Sequence, residues 1–163
     1  VTRAVLSIGS NLGDRLANLG VAAAALRPWL VAVSPIYETP PWGPVGQDAY
    51  LNAVLIADDP DAAPRDWLAR AHAAEQAAGR VRDVRWGPRT LDVDVVAVDG
   101  VVSDDPELTL PHPRATERAF VLVPWSDLDP DAMLADRPVV AWLAERPQDE
   151  LTAVRRVEGA LVP

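Results

Sequence analysis

A chain of 163 residues, 49% hydrophobic and 24% charged, has the length and balance of one domain with a sizeable core. Its formal charge of −9 argues against a nucleic-acid or anionic-membrane surface, because both depend on Lys and Arg neutralising phosphate. All 15 basic residues are arginine, so a Walker-type P-loop is excluded for want of its lysine, and the absence of cysteine excludes disulfides and Cys-ligated zinc. No apolar run approaches the roughly 18 residues that span a bilayer, and the amino terminus carries no signal-peptide pattern. A cytoplasmic protein is expected.

Residues Thr2 to Ile8 alternate weakly and predict a first strand. It runs into Gly9-Ser10-Asn11-Leu12-Gly13, a turn that reads as a connector more readily than as a phosphate cradle. Asp14 stands at a helix cap, and Leu16, Leu19, Ala23 and Leu26 recur at helical spacing until Pro28 stops the run. Val31 to Tyr37 reads as a second strand and Tyr50 to Ala57 as a third. Between them, Thr39 to Asp48 is too rich in proline for regular structure and long enough to be a binding loop. Asn52 lies on an otherwise apolar strand face, where its amide suits either the edge of a heterocycle or a neighbouring loop. Tyr50, two residues away, is placed to stack on the same ring.

Pro64 and Gly79 bracket a helix whose packing stripe is Trp67, Ala71, Ala74 and Ala78, with Leu68, His72 and Glu75 on the adjacent face. A loop with four arginines (Arg80, Arg82, Arg85, Arg89) and Trp86 follows, and an alternating run from Thr90 to Val98 reads as a strand. On it Asp92 and Asp94 share a face, with Cα atoms about 7 Å apart at roughly 3.3 Å per residue. Two carboxylates so placed repel unless a counter-charge lies between them, and Mg²⁺ typically takes one or two carboxylates plus substrate phosphates. Arginine forks match phosphate oxygens, so the pair and the loop together suggest a Mg-nucleotide site. The same spacing also suits a solvent-facing acidic strand behind a solvated basic loop.

Leu110-Pro111-His112-Pro113-Arg114 holds His112 in an extended segment, and Arg118 and Phe120 follow in a short helix from Glu117 to Val123. Asp127 to Ala135 reads as irregular, Val139 to Glu145 as a short helix and Leu151 to Val157 as a last strand.

Four segments in order, GSNLGDR (Gly9 to Arg15), ETPPWGPVGQDAYLNAV (Glu38 to Val54), GRVRDVRWGPRTLDVDVV (Gly79 to Val96) and LPHPRATERAFVL (Leu110 to Leu122), resemble the 6-hydroxymethyl-7,8-dihydropterin pyrophosphokinases of folate biosynthesis. The resemblance implies an α+β fold with a ferredoxin-like β-α-β-β-α-β core and C-terminal helical and strand additions, all in one domain. It implies transfer of pyrophosphate from ATP to the pterin hydroxymethyl group with release of AMP, two Mg²⁺ ions, small-molecule substrates and a monomer.

Carried over onto this sequence, Asp92 and Asp94 would hold the metals, and Arg80, Arg82 and Arg89 would serve catalysis with them. The ATP site would comprise His72, Glu75, Arg80, Arg82, Trp86, Arg89, Val95, His112 and Arg118. The pterin would lie between Tyr50 and Phe120, its edge read by Asn52, with Thr39, Pro40 and Trp42 lining the pocket. Two departures are His72, where glutamine is common, and a loop from Asp83 to Arg85 shorter than in some members. Two rival readings are a non-catalytic ferredoxin-like binding module, which has no need of paired aspartates, and an RNA-binding domain, disfavoured by the acidic balance.

Overall fold

Strand β1 (Arg3–Ser10) lies inside a sheet, antiparallel to both of its neighbours. The computed structural model describes residues 3–40, 48–79 and 90–161. After β1 come α1 (Arg15–Leu26), β2 (Leu30–Val33), β3 (Ile36–Thr39), β4 (Tyr50–Asp58), α2 (Pro64–Ala77) and β5 (Asp92–Val98). Next are the hairpin β6 (Ser103–Asp105) and β7 (Leu108–Leu110), then α3 (Ala119–Leu128), β8 (Met133–Leu134), β9 (Arg137–Pro138), α4 (Val139–Ala144), α5 (Gln148–Ala153) and β10 (Arg155–Val157). The main sheet runs β10-β3-β4-β1-β5, with β2 also on β4. That order, with every pair antiparallel, is the ferredoxin-like arrangement of an α+β fold. No described helix is long and apolar enough to cross a membrane.

Alternation along the strands gives the sheet two faces. One carries Leu6, Ile8, Ala53, Leu55, Val93 and Val95 against Leu19 and Leu26 of α1 and Trp67, Ala71 and Ala74 of α2. The other carries Val5, Val54, Ile56 and Val96 against Val121, Leu122 and Trp125 of α3. Strand β5 contains one extra residue. Val5 pairs with Ala97 and Leu6 with Val95, which leaves Val96 as a bulge.

Helix α1 starts because Asp14 accepts a hydrogen bond from the Ala17 amide at 3.1 Å. In α2, Pro64 occupies the first turn, the Asp66 carboxylate accepts from the Ala63 amide at 2.8 Å, and Gly79 at φ 73° ends the run.

The structure departs from the sequence expectations in several places. The stretch read as one strand from Val31 to Tyr37 is two, because Pro35 has no N–H to give the ladder. Leu16, expected on the packing stripe of α1, is 41% exposed. Helix α3 passes through Pro124 to Leu128, with Trp125 and Leu122 buried, where a stop before the proline was expected. The segment read as irregular holds the turn of β8 and β9, built on Ala135 and Asp136 at φ 48° and 63°. Only Arg155–Val157 of the expected last strand is strand, and the residues before it form α5, with Asp149 and Glu150 in the first turn.

Candidate active site

The glycine expected to begin the first turn is still in strand, and its neighbours define the site. Cross-strand partners place Tyr37, Asn52, Gly9 and Asp92 in one row over β3, β4, β1 and β5. The adjacent row holds Val54, Ser7 and Asp94. Paired residues share a face, so the aspartates, Ser7, Gly9 and Asn52 open on the side away from α1 and α2. Strand β1 contributes only small residues between the acids and the amide. A Cβ on Gly9 would lie 2.8 Å from Asn52 Oδ1 and 3.5 Å from Tyr50 Cδ1, so the glycine makes room for both side chains over the sheet.

Asn52 is buried, and its Nδ2 donates to Thr39 Oγ1 at 2.7 Å. Thr39, also buried, is the register partner of Tyr50. Pro40 is exposed just past the end of β3. Phe120 is half-buried in the first turn of α3, with the Arg118 guanidinium carbon 5.5 Å from its ring centre.

Asp92 and Asp94 are half-buried, while Val93 between them and Val95 after them lie in the helical core. Arg118 Nη1 stands 3.8 Å from Asp94 Oδ2, a loose ion pair. Val95 turns its side chain away from the aspartates, so any contribution it makes to a ligand is through backbone. Glu75 is buried at 3% exposure, and its Oε2 accepts from the Val93 amide at 3.0 Å. Helix α2 thereby fastens edge strand β5 between its two acids. His72, expected to share a face with Glu75, is exposed instead. The boundary of the buried stripe falls between these two positions of α2.

His112 is held to β5 by its own N–H, which donates to Val96 O at 2.7 Å. Its Nδ1 accepts from the Arg114 amide at 3.2 Å. Burial, with Arg118 and then Arg114 nearby, lowers its pKa from 6.5 to about 4. The imidazole is therefore neutral near pH 7. With Nδ1 used as an acceptor, the proton is assigned to Nε2, which leaves a donor on the far side of the ring.

Arg80, Arg82, Arg85, Trp86, Arg89 and Trp42 lie outside the described residues. Among the described residues no three His, Cys, Asp or Glu gather as a metal cage. Two adjacent carboxylates on an open face nonetheless fit a hard cation that draws its remaining oxygens from water and phosphate. Sequence reasoning missed Ser7 and Gly9. Their signal was present, since small residues two apart at a strand end mark a place where another group approaches closely.

Residues 5–130 match the family model described as 7,8-dihydro-6-hydroxymethylpterin-pyrophosphokinase. The chain belongs to that family. A pyrophosphokinase relative from Mycobacterium tuberculosis, named 2-amino-4-hydroxy-6-hydroxymethyldihydropteridine pyrophosphokinase, is 53% identical over 168 residues, covering 95% of this chain and 89% of its own. One of the same name from Methylorubrum extorquens is 42% identical, covering 97% of this chain and 100% of its own. Among solved structures, the wild-type HPPK-DHPS of Plasmodium falciparum superposes with a TM-score of 0.65 at 12% identity, over 88% of this chain. That likeness speaks for the fold, and this chain spans only 44% of that longer one.

Proposed function

We propose that this pyrophosphokinase transfers the β,γ-pyrophosphoryl group of ATP to the hydroxymethyl oxygen of 6-hydroxymethyl-7,8-dihydropterin, releasing AMP, and that the face of β1, β4 and β5 described above is where it does so. The supporting observation is the row of Asn52, Gly9 and Asp92. It sets an amide that can read a heterocycle edge beside carboxylates suited to Mg²⁺, with only Gly9 and Ser7 of β1 between them.

In this reading Tyr50 and Phe120 flank the pterin, Asn52 reads its edge, and Thr39 fixes the amide by accepting from Nδ2. Pro40 and Trp42 line the pocket. Asp92 and Asp94 hold two Mg²⁺ ions, which when bound neutralise triphosphate charge. Arg118, the Nε2–H of His112 and the loop arginines Arg80, Arg82 and Arg89 meet the phosphates, with Trp86 on the same loop. Glu75 supports the nucleotide site by holding β5 through the Val93 amide, and Val95 contributes through its backbone. His72 lies at that margin.

The hydroxymethyl oxygen attacks the β-phosphorus in line, the bond from that phosphorus to the α–β bridging oxygen breaks, and AMP leaves with that oxygen. The hydroxyl proton passes to solvent. Phosphoryl-type transfer asks little covalent work of protein, so alignment and charge stabilisation are this site's contribution.

The test is AMP formation from ATP, Mg²⁺ and the hydroxymethyldihydropterin, with Asp94→Ala alongside. Turnover should fall about 100-fold or more, the scale of losing a preorganised charge partner, while the melting temperature holds. A folded variant that makes AMP at the normal rate refutes the metal assignment. Wild-type protein that binds pterin yet makes no AMP reduces the chain to a binding module.

A further inference from the structure

The turn Gly9 to Gly13 was expected to be a connector or a phosphate cradle, and the side chains of this turn and of the helix start that follows it do something different. Arg15 is the first residue of α1, where the helix dipole disfavours a cation, and no acid accompanies it in the first turn. Its guanidinium reaches sideways to the sheet. Nη1 donates to Glu38 Oε2 at 3.1 Å and to the Ala49 carbonyl at 2.8 Å. Glu38 immediately precedes Thr39, Ala49 immediately precedes Tyr50, and Thr39 and Tyr50 face each other in the β3–β4 ladder.

The same elements hold the neighbouring positions. Asn11 Nδ2 donates to Asp48 O at 3.1 Å, and Asn18 Nδ2 bonds Ser10 Oγ at 3.2 Å and Leu12 O at 2.9 Å, which ties the turn to its own helix. The second oxygen of Glu38 receives Arg155 Nη2 from β10 at 2.8 Å. Glu38 is thus gripped from both sides, with Arg15 linking it to the start of β4.

We propose that Arg15 is a positioning residue for the pterin pocket, a clamp between the Glu38 carboxylate and the Ala49 carbonyl on the two stems that carry Thr39 and Tyr50. This rests on the pterin site of the preceding section. A two-pronged contact between a fixed helix end and both stems sets the distance from Thr39 to Tyr50, and through the Thr39 hydroxyl it sets the Asn52 amide. The guanidinium itself has no part in the reaction.

The experiment compares steady-state kinetics and melting temperature for Arg15→Met, Arg15→Lys and Glu38→Gln in the full chain, with ATP and hydroxymethyldihydropterin varied separately. Arg15→Met should raise the pterin KM about tenfold, the scale of losing a charge-assisted hydrogen bond, with the ATP KM within about twofold. Arg15→Lys keeps the charge and three donors on one nitrogen, but on a shorter and more strongly hydrated head, and should recover part of the loss. Glu38→Gln keeps an acceptor oxygen and should shift the pterin KM in the same direction by less, which decides the matter if Arg15→Met does not fold. A lower melting temperature with unchanged pterin KM overturns the proposal, as does an equal rise for both substrates. Absence of turnover by wild-type protein overturns the pterin-site reading and this inference with it.

Discussion

The two faces of the central sheet are built from the same strands, residue by residue in alternation, and serve opposite ends. Beneath α1 and α2 the face is apolar through its centre, with Leu6, Leu55, Trp67 and Leu91 fully buried and the polar Ser10 and Glu38 at its strand ends. On the other face α3 covers Val5, Ile56 and Val96, and the polar row of Asn52, Gly9 and Asp92 lies at the strand ends beyond them. One face supplies the burial that stabilises the domain, which frees part of the other to carry half-buried acids that add little to stability.

The division is open to attack from the stable side first. Trp67 has 0% exposure, and its ring meets Trp29 edge-on at 6.3 Å between centres. Trp67→Ala should cost about 3–5 kcal/mol in urea unfolding. Both KM values should stay at wild-type levels wherever the variant is folded. A changed pterin KM at full folding would mean that the faces are mechanically coupled.

The opposite test strikes the open face. Gly9→Ala puts a methyl 2.8 Å from Asn52 Oδ1 and should push that amide aside. A rise of about tenfold in pterin KM is expected, the scale of a lost hydrogen bond to a ring edge, with the ATP KM unchanged. Unchanged pterin affinity would show that Asn52 does not read the substrate.

Smaller again is the pH response of the open face. The folded-state pKa of His112, about 4, lies below the ordinary 6.5. Between these values the unfolded chain takes up a proton that the folded chain refuses, so stability rises with pH across that window and is unaffected above it. His112→Asn keeps an acceptor for the Arg114 amide and removes the titration. Urea midpoints measured near pH 7 and near pH 5 should fall further on acidification for wild-type protein than for the variant. Equal falls would place the acid sensitivity elsewhere.

Much of this is legible in the amino-acid sequence. Tyr50 to Ala57 and Thr90 to Val98 read as strands, and the alternation of the second put Asp92 and Asp94 on one side without a fold in hand. What alternation cannot encode is which neighbour lies across the ladder, so the placing of Ser7 and Gly9 between the acids and the amide needed the register, and the brace from Arg15 to Glu38 needed the packing of α1 on the sheet. His72 and Glu75 looked like companions at helical spacing. They part because the edge of β5 takes the Glu75 carboxylate and leaves the histidine outside. Helix α3 outran its proline because the burial of Trp125 outweighs one missing hydrogen bond, a tertiary effect that local signals do not carry. The β8–β9 turn escaped notice for the opposite reason, since Ala135 and Asp136 adopt left-handed angles without the glycine that would announce them.

The irregularity at Val96 has a consequence for how the acidic edge strand is set. An uninterrupted strand obliges its two ends to agree on which side is oily, so Val98 would turn toward the same side as Asp92. The inserted residue cancels that obligation, letting Val98 join Val93 and Val95 beneath while the acids stay above. Its carbonyl, spared from the ladder, is the one that receives His112. A single out-of-step valine therefore fixes both the phase of the carboxylates and the berth of the imidazole, and removing it would misplace the two together.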